Sequence, residues 1–337
     1  MKKHAIIPIF ISHRGCPNDC VFCNQKKITA RQGDVTEEDI RNTIKTYLST
    51  LSNMNMDTIE LSFFGGSFTG IPMEEQNRFL SIAYEYKKQV IIDKIHMSTR
   101  PDYIDKNILD NLKRFSVDVI ELGVQSFDDS VLQKSNRGHN AAIVYDACSL
   151  IKEYGFSLGI QLMIGLPGDS LESCIYSAHE TVKIAPESAR LYPTIIIEDT
   201  ELLEMYRRGE YTPLALDEAV EITKQMYRIL DDAGINILRV GLKSTDIINE
   251  NGAVTGGTYH PAFRQLVESS IAREEIEKQL TSHKGNISVL CNPKDISNAA
   301  GHSGTNKKYF AAKYPEIHMS FKIDETLDRN KYIVIEY

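Results

Sequence analysis

Positive charge is in deficit in this 337-residue chain: 38 Lys and Arg stand against 46 Asp and Glu, a formal net charge of −8. The deficit excludes a broad, non-specific nucleic-acid surface and leaves room only for a local basic groove. Long apolar runs are lacking too. Ala5–Ile11 is shorter than a signal-peptide core or a membrane span, and no small-residue cleavage site follows it. The expectation is a cytoplasmic protein without a membrane partner. Six cysteines do not make a secreted disulfide framework, because Cys16, Cys20 and Cys23 are clustered and Cys148, Cys174 and Cys291 are scattered. The scattered three read as small buried hydrophobes. Low-complexity tracts and internal repeats are lacking beyond a strand–helix rhythm.

That rhythm is the main architectural signal. Strand-like apolar runs occupy 5–11, 58–64, 91–97, 117–124, 157–164 and 189–197. Helical periodicity fills 37–51, 74–88, 104–112, 141–154 and 171–184 between them. Repeated βα units make a parallel sheet, either doubly wound or barrel-like. Six units over about 200 residues are too few for a closed eight-unit barrel of roughly 250 residues. The fold class expected is α/β, a partial (βα)6 barrel followed by a small α+β module. Beyond the barrel the pattern predicts a helix at 217–233, a strand at 235–240, a loop at 249–257 and a helix at 261–280. Strands follow at 286–291, 318–323 and 332–336, with a short helix at 306–313. The domains are read as 1–242 and 243–337.

The segment from His13 to Cys23 carries the chemistry. Its spacing is C-x3-C-x2-C with no fourth cysteine nearby. Thiolates ligate iron in cubane clusters, and three ligands leave one iron open for a cosubstrate. The motif follows a strand, where βα folds place their sites. Zinc is the competing reading: it takes four ligands, and His13 could complete a Cys3His set.

With Phe22 before the last cysteine, this motif resembles the signature of the radical S-adenosylmethionine (SAM) superfamily, and the resemblance continues in order along the chain. Phe63-Phe64-Gly65-Gly66-Ser67-Phe68 looks like the motif whose backbone contacts the SAM amino group, where glycine permits close approach. Ser98-Thr99-Arg100-Pro101-Asp102 resembles the next motif, often begun by Glu; Ser98 departs from that and receives no SAM contact. The segments Glu121–Phe127 and Asn136–His139 resemble those that bind ribose and carboxylate. The resemblance implies that Gln125 bonds the ribose and that Arg137 forks onto the methionyl carboxylate. Gly159–Gly168 is similar to the strand flanking adenine and ribose, with Gln161 where relatives often carry Asp, and Leu191-Tyr192-Pro193-Thr194 to the strand closing the adenine pocket. The implied cofactor contacts are therefore Phe22, Gly65, Gly66, Ser67, Glu121, Gln125, Arg137, Gln161 and Tyr192, with Cys16, Cys20 and Cys23 as metal ligands. No catalytic residue is assigned beyond the cluster.

Within the superfamily, Asp199-Thr200-Glu201-Leu202, Gly209–Pro213 and Asp217–Val220 resemble the Elongator catalytic subunit group, while Gly123-Val124-Gln125 and Asn136-Arg137 are shared with oxygen-independent coproporphyrinogen III oxidase. The implied chemistry is reductive cleavage of SAM at a 4Fe-4S cluster, yielding a 5′-deoxyadenosyl radical. The electron would come from a flavodoxin or ferredoxin type of donor. RNA (tRNA) is the expected target. A small metabolite or porphyrinogen-like molecule is the alternative, and an iron-sulfur sensor or binding protein the remaining one. The family's acetyltransferase domain and amino-terminal tRNA-binding extension have no counterpart in this sequence, so acetyl transfer is not implied. Asn306-Lys307-Lys308, after a glycine-rich turn, is the one local basic feature that could meet phosphate; it equally reads as a solvated turn. His13 and His139 lie near the site by motif, as hydrogen-bonding or scaffold groups.

Overall fold

The computed structural model describes residues 3–11, 16, 20–24, 35–52, 54–242 and 253–337. A seven-stranded sheet organises it: β1 (His4–Phe10), β2 (Thr58–Phe64), β3 (Lys94–Thr99), β4 (Val119–Gln125), β5 (Ser157–Ile164), β6 (Ser188–Pro193) and β8 (Asn236–Val240). All six pairings are parallel and follow chain order. A doubly wound sheet would reverse direction at a switch point; an order without reversal curls one way and gives the partial barrel. Its seventh strand is β8, which the sequence pattern places after the six units.

Helices α1 (Glu37–Leu51), α2 (Met73–Lys88), α3 (Lys106–Arg114), α4 (Asp129–Lys134), α5 (Ala141–Glu153) and α6 (Leu171–Ile184) alternate with the strands. Local chemistry starts them. Thr36 and Asp39 form a reciprocal capping box at α1, and Asn140 Oδ1 accepts from Ile143 N at the start of α5. Alternate strand residues bury against the helices: Ile7, Ile9, Leu61, Phe63, Ile95, Met97, Ile120, Leu122, Leu158, Ile160, Leu162 and Leu191 all belong to one core. The intervening residues face the barrel interior, and many are polar: Glu60, Ser62, His96, Ser98, Glu121, Gln161 and Arg190. Cys148 and Cys174 lie buried in this core, and burial pushes the Cys148 thiol up to about 12.

The strand expected over 189–197 is broken. Pro193 has no N–H to donate, the parallel ladder ends there, and β7 (Ile195–Ile197) pairs antiparallel with β9 (Val254–Gly257). So 254–257 is a strand where a loop is expected, and 249–252 lie outside the described residues. The strand expected at 91–97 begins at Lys94, after Val90 turns the chain at φ 57°. Helices α7 (Glu201–Arg207) and α8 (Leu216–Asp232) lie between β7 and β8 in the chain.

A second core surrounds β10 (Lys284–Cys291), with β11 (Glu316–Ile323) parallel on one side and β12 (Tyr332–Glu336) antiparallel on the other. Helices α9 (Phe263–Glu277), α10 (Ile296–Ala300) and α11 (Thr305–Lys313) belong to this region, and Cys291 is buried in its core. Helix α9 serves both cores: Phe263 and Val267 join the barrel core, Ala272 and Ile276 the second. Buried Lys224 and neighbouring Arg228 on α8 pair with Glu274 on α9. Among the described residues no helix is long and apolar enough to cross a membrane.

Candidate functional site

The carboxyl ends of β1 to β4 converge on the cysteine segment. Ile11 N donates to Phe64 O at 2.7 Å, which carries the β1–β2 pairing up to the start of that segment. The segment is then docked at several points. Val21 N donates to Ser135 O at 3.2 Å, Leu202 N to Val21 O at 2.7 Å, and Asn24 Nδ2 to Glu198 O at 3.1 Å. Cys23 N turns back onto Cys20 O at 2.9 Å. Cys20 is buried, whereas Cys16 and Cys23 are half-buried. Phe22 is half-buried against the cluster of Val21, Ile196, Leu202, Leu203 and Tyr211. His13 lies outside the described residues.

Two arginines reach Cys20. Arg137 Nη1 donates to Cys20 Sγ at 3.1 Å, and its Nη2 to Gly123 O. Arg100 Nη1 lies 3.8 Å from the same sulfur, while its Nε and Nη2 grip Asp102 at 2.9 Å each and its Nη2 also meets Arg137 O. The two residues are 3% and 5% exposed for Arg100 and Arg137 respectively. Arg137 is fixed locally: its N–H donates to Leu132 O, closing α4, and Asn136 and Gly138 on either side turn at φ 52° and 75°. Burial first, then the positive charges of Arg137 and Arg100, hold the His139 imidazole down at about 3, so it is neutral at neutral pH.

Bonding capacity is left over at this rim. Gln125 Oε1, Arg137 Nε and both ring nitrogens of His139 are buried without a hydrogen-bond partner. Gln125 ends β4 at φ 73°, beyond a register shift between Gly123 and Gln125. A Cβ at Gly123 would come within 2.9 Å of Gln125 Nε2 and 3.6 Å of Arg137 Nη2, so glycine there makes room for both side chains. Gly65 turns at φ 99° at the end of β2, with half-buried Gly66 and buried Ser67 after it.

Deeper in the barrel a second polar group is closed on itself. Glu121, 1% exposed, accepts from Ser98 Oγ at 2.9 Å and from Gln161 Nε2 on one oxygen, and from Arg190 Nε on the other. Burial, the largest influence, would raise the Glu121 carboxyl; the Arg190 charge, His96 and the Gln161 and Ser98 hydrogen bonds together bring it below its ordinary value. Arg190 lies over the Phe64 ring, 5.4 Å from its centroid, and beside Tyr192, whose phenol burial pushes up. Below it, Glu60 accepts from His96 Nδ1 and Ser62 Oγ, each at 2.7 Å. Burial works against that carboxylate, yet these hydrogen bonds bring it down to about 2.

Of the residues singled out from sequence, Cys20, Gln125 and Arg137 meet at one place, with Gly65–Ser67 ending the neighbouring strand. Glu121 and Gln161 instead bond each other. Arg100 lies in an expected motif but without an expected role, and Arg190, His96 and Glu60 are not among the residues the sequence points to. A charged or polar residue at every second position of an apolar strand was the available signal. Asn306 is buried, and its Nδ2 donates to Ser269, Asn298 and Ala299 carbonyls at 2.9–3.2 Å, while Lys307 lies over the Phe321 ring; the turn is a folded joint.

The donor chemistry fits an iron-sulfur cluster with a polar cosubstrate. Three thiols share one segment, two buried cations face one of them, and an orphaned acceptor and donor lie alongside. Among the described residues no three His, Cys, Asp or Glu side chains close on a single metal ion. A cubane does not require that, since its thiolates take separate irons.

Comparison with known proteins agrees. The tRNA uridine(34) acetyltransferase of Methanocaldococcus infernus is 27% identical over 257 residues, covering 65% of this chain and 48% of that protein. Human Elongator complex protein 3 is 26% identical over 196 residues, covering 52% of this chain and 36% of that protein. The chain spans about half the length of the first of these relatives. The solved structure of archaeal Elp3 from M. infernus shares the fold at a TM-score of 0.65 and 23% identity, covering 81% of this chain and 64% of that one. The radical SAM C-terminal domain model matches residues 186–273. The radical SAM superfamily model matches residues 10–179, half of the sequence, and the chain belongs to that superfamily of enzymes, which use a 4Fe-4S cluster and SAM.

Proposed function

We propose that this chain cleaves SAM reductively and directs the resulting radical at RNA, with tRNA as the favoured substrate. The observation that carries the chemistry is the buried Cys20–Arg137–Gln125 group, whose side chains keep unused bonding capacity at the carboxyl ends of the strands. When bound, the cluster and SAM supply a 5′-deoxyadenosyl radical. The chain's own residues bind and orient. Cys16, Cys20 and Cys23 would hold three irons. The free Nε edge of Arg137 suits the methionyl carboxylate, and the orphaned Gln125 Oε1 suits a ribose hydroxyl. The positive φ of Gly65 opens the β2 end for backbone contact, with Gly66 and Ser67 beside it. Tyr192 and Gln161 face the interior where the adenine would lie, and Glu121 fixes Gln161 in place. Phe22 supports the cysteine segment from the side of α7. The apolar layer between strands and helices keeps water from the far side of the sheet.

The choice of RNA rests on the relatives' names, and a tRNA substrate would put the protein in the cytoplasm. The division at 242/243 belongs to the same reading: residues 243–337 would dock the substrate, held to the barrel through α9. A low-potential donor of flavodoxin or ferredoxin type would supply the electron. The net charge of −8 favours the alternative, a small metabolite.

Anaerobically reconstituted protein given SAM and a strong reductant should release 5′-deoxyadenosine, and Cys20→Ala should lose both iron and product. Intact cluster without product, across tRNA and metabolite candidates, would end the catalytic reading. Nucleoside profiling of tRNA from a strain lacking the protein should show one modified nucleoside lost; an unchanged profile with an accumulated metabolite would favour the small substrate.

A further inference from the structure

Charge balance at Cys20 does not close with the partners already named. Arg100 and Arg137 bring two buried cations to one sulfur, and Asp102 supplies a single carboxylate. His139 adds no charge at neutral pH, and its Nδ1 is 3.8 Å from Asp102. The anionic cluster that Cys20 would ligate supplies the negative charge that completes the set.

The two arginines are not equivalent. Arg137 keeps Nε free, the edge available to a cofactor carboxylate. Every guanidinium nitrogen of Arg100 has a partner: Nε and Nη2 hold Asp102, Nη2 also meets Arg137 O, and Nη1 faces Cys20 Sγ. The Asp102 clamp is built into the chain, because the 3-10 turn Pro101–Tyr103 returns the carboxylate onto the arginine two residues before it. We propose that Arg100, clamped by Asp102, is a positioning residue for the iron-sulfur ligand sphere that sets the reduction potential of the cluster through Cys20. The proposal rests on the cluster reading given above. Reduction adds one electron from a low-potential one-electron donor and forms or breaks no bond. A buried guanidinium at the ligand sulfur favours the state with more negative charge, so Arg100 raises the potential and Asp102 lowers it.

The test is an EPR-monitored redox titration of anaerobically reconstituted wild-type, Arg100→Gln, Arg100→Lys and Asp102→Asn proteins without SAM, with iron counted for each. Arg100→Gln should fall to lower potential, with about a tenfold lower reduced-to-oxidised ratio at the same poise, 59 mV for a one-electron couple. Arg100→Lys should shift less in the same direction. Asp102→Asn should shift upward, because it frees the cation of its counter-charge. A merely structural role does not give opposite signs for the two partners. Unchanged midpoints with full iron, or shifts of one sign in Arg100→Gln and Asp102→Asn, would overturn the proposal. Should Arg100→Gln lose its iron, the sign of Asp102→Asn decides: upward supports, unchanged or downward overturns. Wild-type protein that takes up no cluster would instead refute the cluster reading.

Discussion

Two buried arginine sites sit in one barrel and are built to opposite rules. In the middle of the sheet, Arg190 meets Glu121, and Ser98 and Gln161 fill the carboxylate's remaining capacity. At the rim, Arg137 meets a sulfur and a carbonyl, leaves its Nε without a partner, and lies beside Gln125 and His139, which have orphaned atoms of their own. The middle group is electrically closed. The rim group carries spare donors, spare acceptors and spare positive charge. Buried polar groups without partners destabilise a fold, so a concentration of them marks where something else binds. Backbone strain follows the same division: Gln125 and Asn136 at the rim hold positive φ, and Glu121 and Arg190 do not.

The comparison is broken most forcefully in the closed group. Glu121→Gln leaves Arg190 buried without its counter-charge and should cost about 3–5 kcal/mol in chemical denaturation. The double variant Glu121→Gln with Arg190→Met should recover a large part of that loss. A single variant as stable as wild type would show that the middle group is not closed. The rim behaves differently. Arg137→Gln should weaken SAM binding to the reconstituted protein about tenfold to a hundredfold, the range for a lost charged hydrogen bond, and change unfolding less than Glu121→Gln does. Equilibrium binding and denaturation on the same sample separate the two effects. The smallest effect sharpens the contrast. Gln125→Gly removes a side chain with a buried orphaned oxygen and relaxes a φ of 73°, so stability should rise by about 1 kcal/mol while SAM affinity falls. A loss of stability would place Gln125 among the scaffold residues.

Much of the fold was legible because βα units are local. β2 and β5 have the expected bounds, and the helices at 37–51 and 171–184 do too. Misplaced edges have identifiable causes. Pro193 cuts one expected strand in two, and β9 exists only because β7 offers it an antiparallel partner. The seventh barrel strand is a matter of pairing: the apolar run at Asn236–Val240 is ordinary, and its neighbour β6 makes it part of the barrel.

The sequence by itself determined the cysteine spacing, the glycines after β2 and the order of motifs, since each depends on residues close together along the chain. Arg137 was legible only through the resemblance of the Asn136–His139 motif. Tertiary structure alone decided that Arg100 reaches Cys20 across 80 residues, that Arg190 answers Glu121 across 69, and that Glu60 meets His96 across 36. The last two pairs share the inner face through parallel register, and Arg100 and Cys20 meet beyond the carboxyl ends of β3 and β1; no local pattern encodes either. The physical reason is the one that separates the two arginine sites. A residue type announces that a charge is present, and only the packed sheet determines whether that charge is answered.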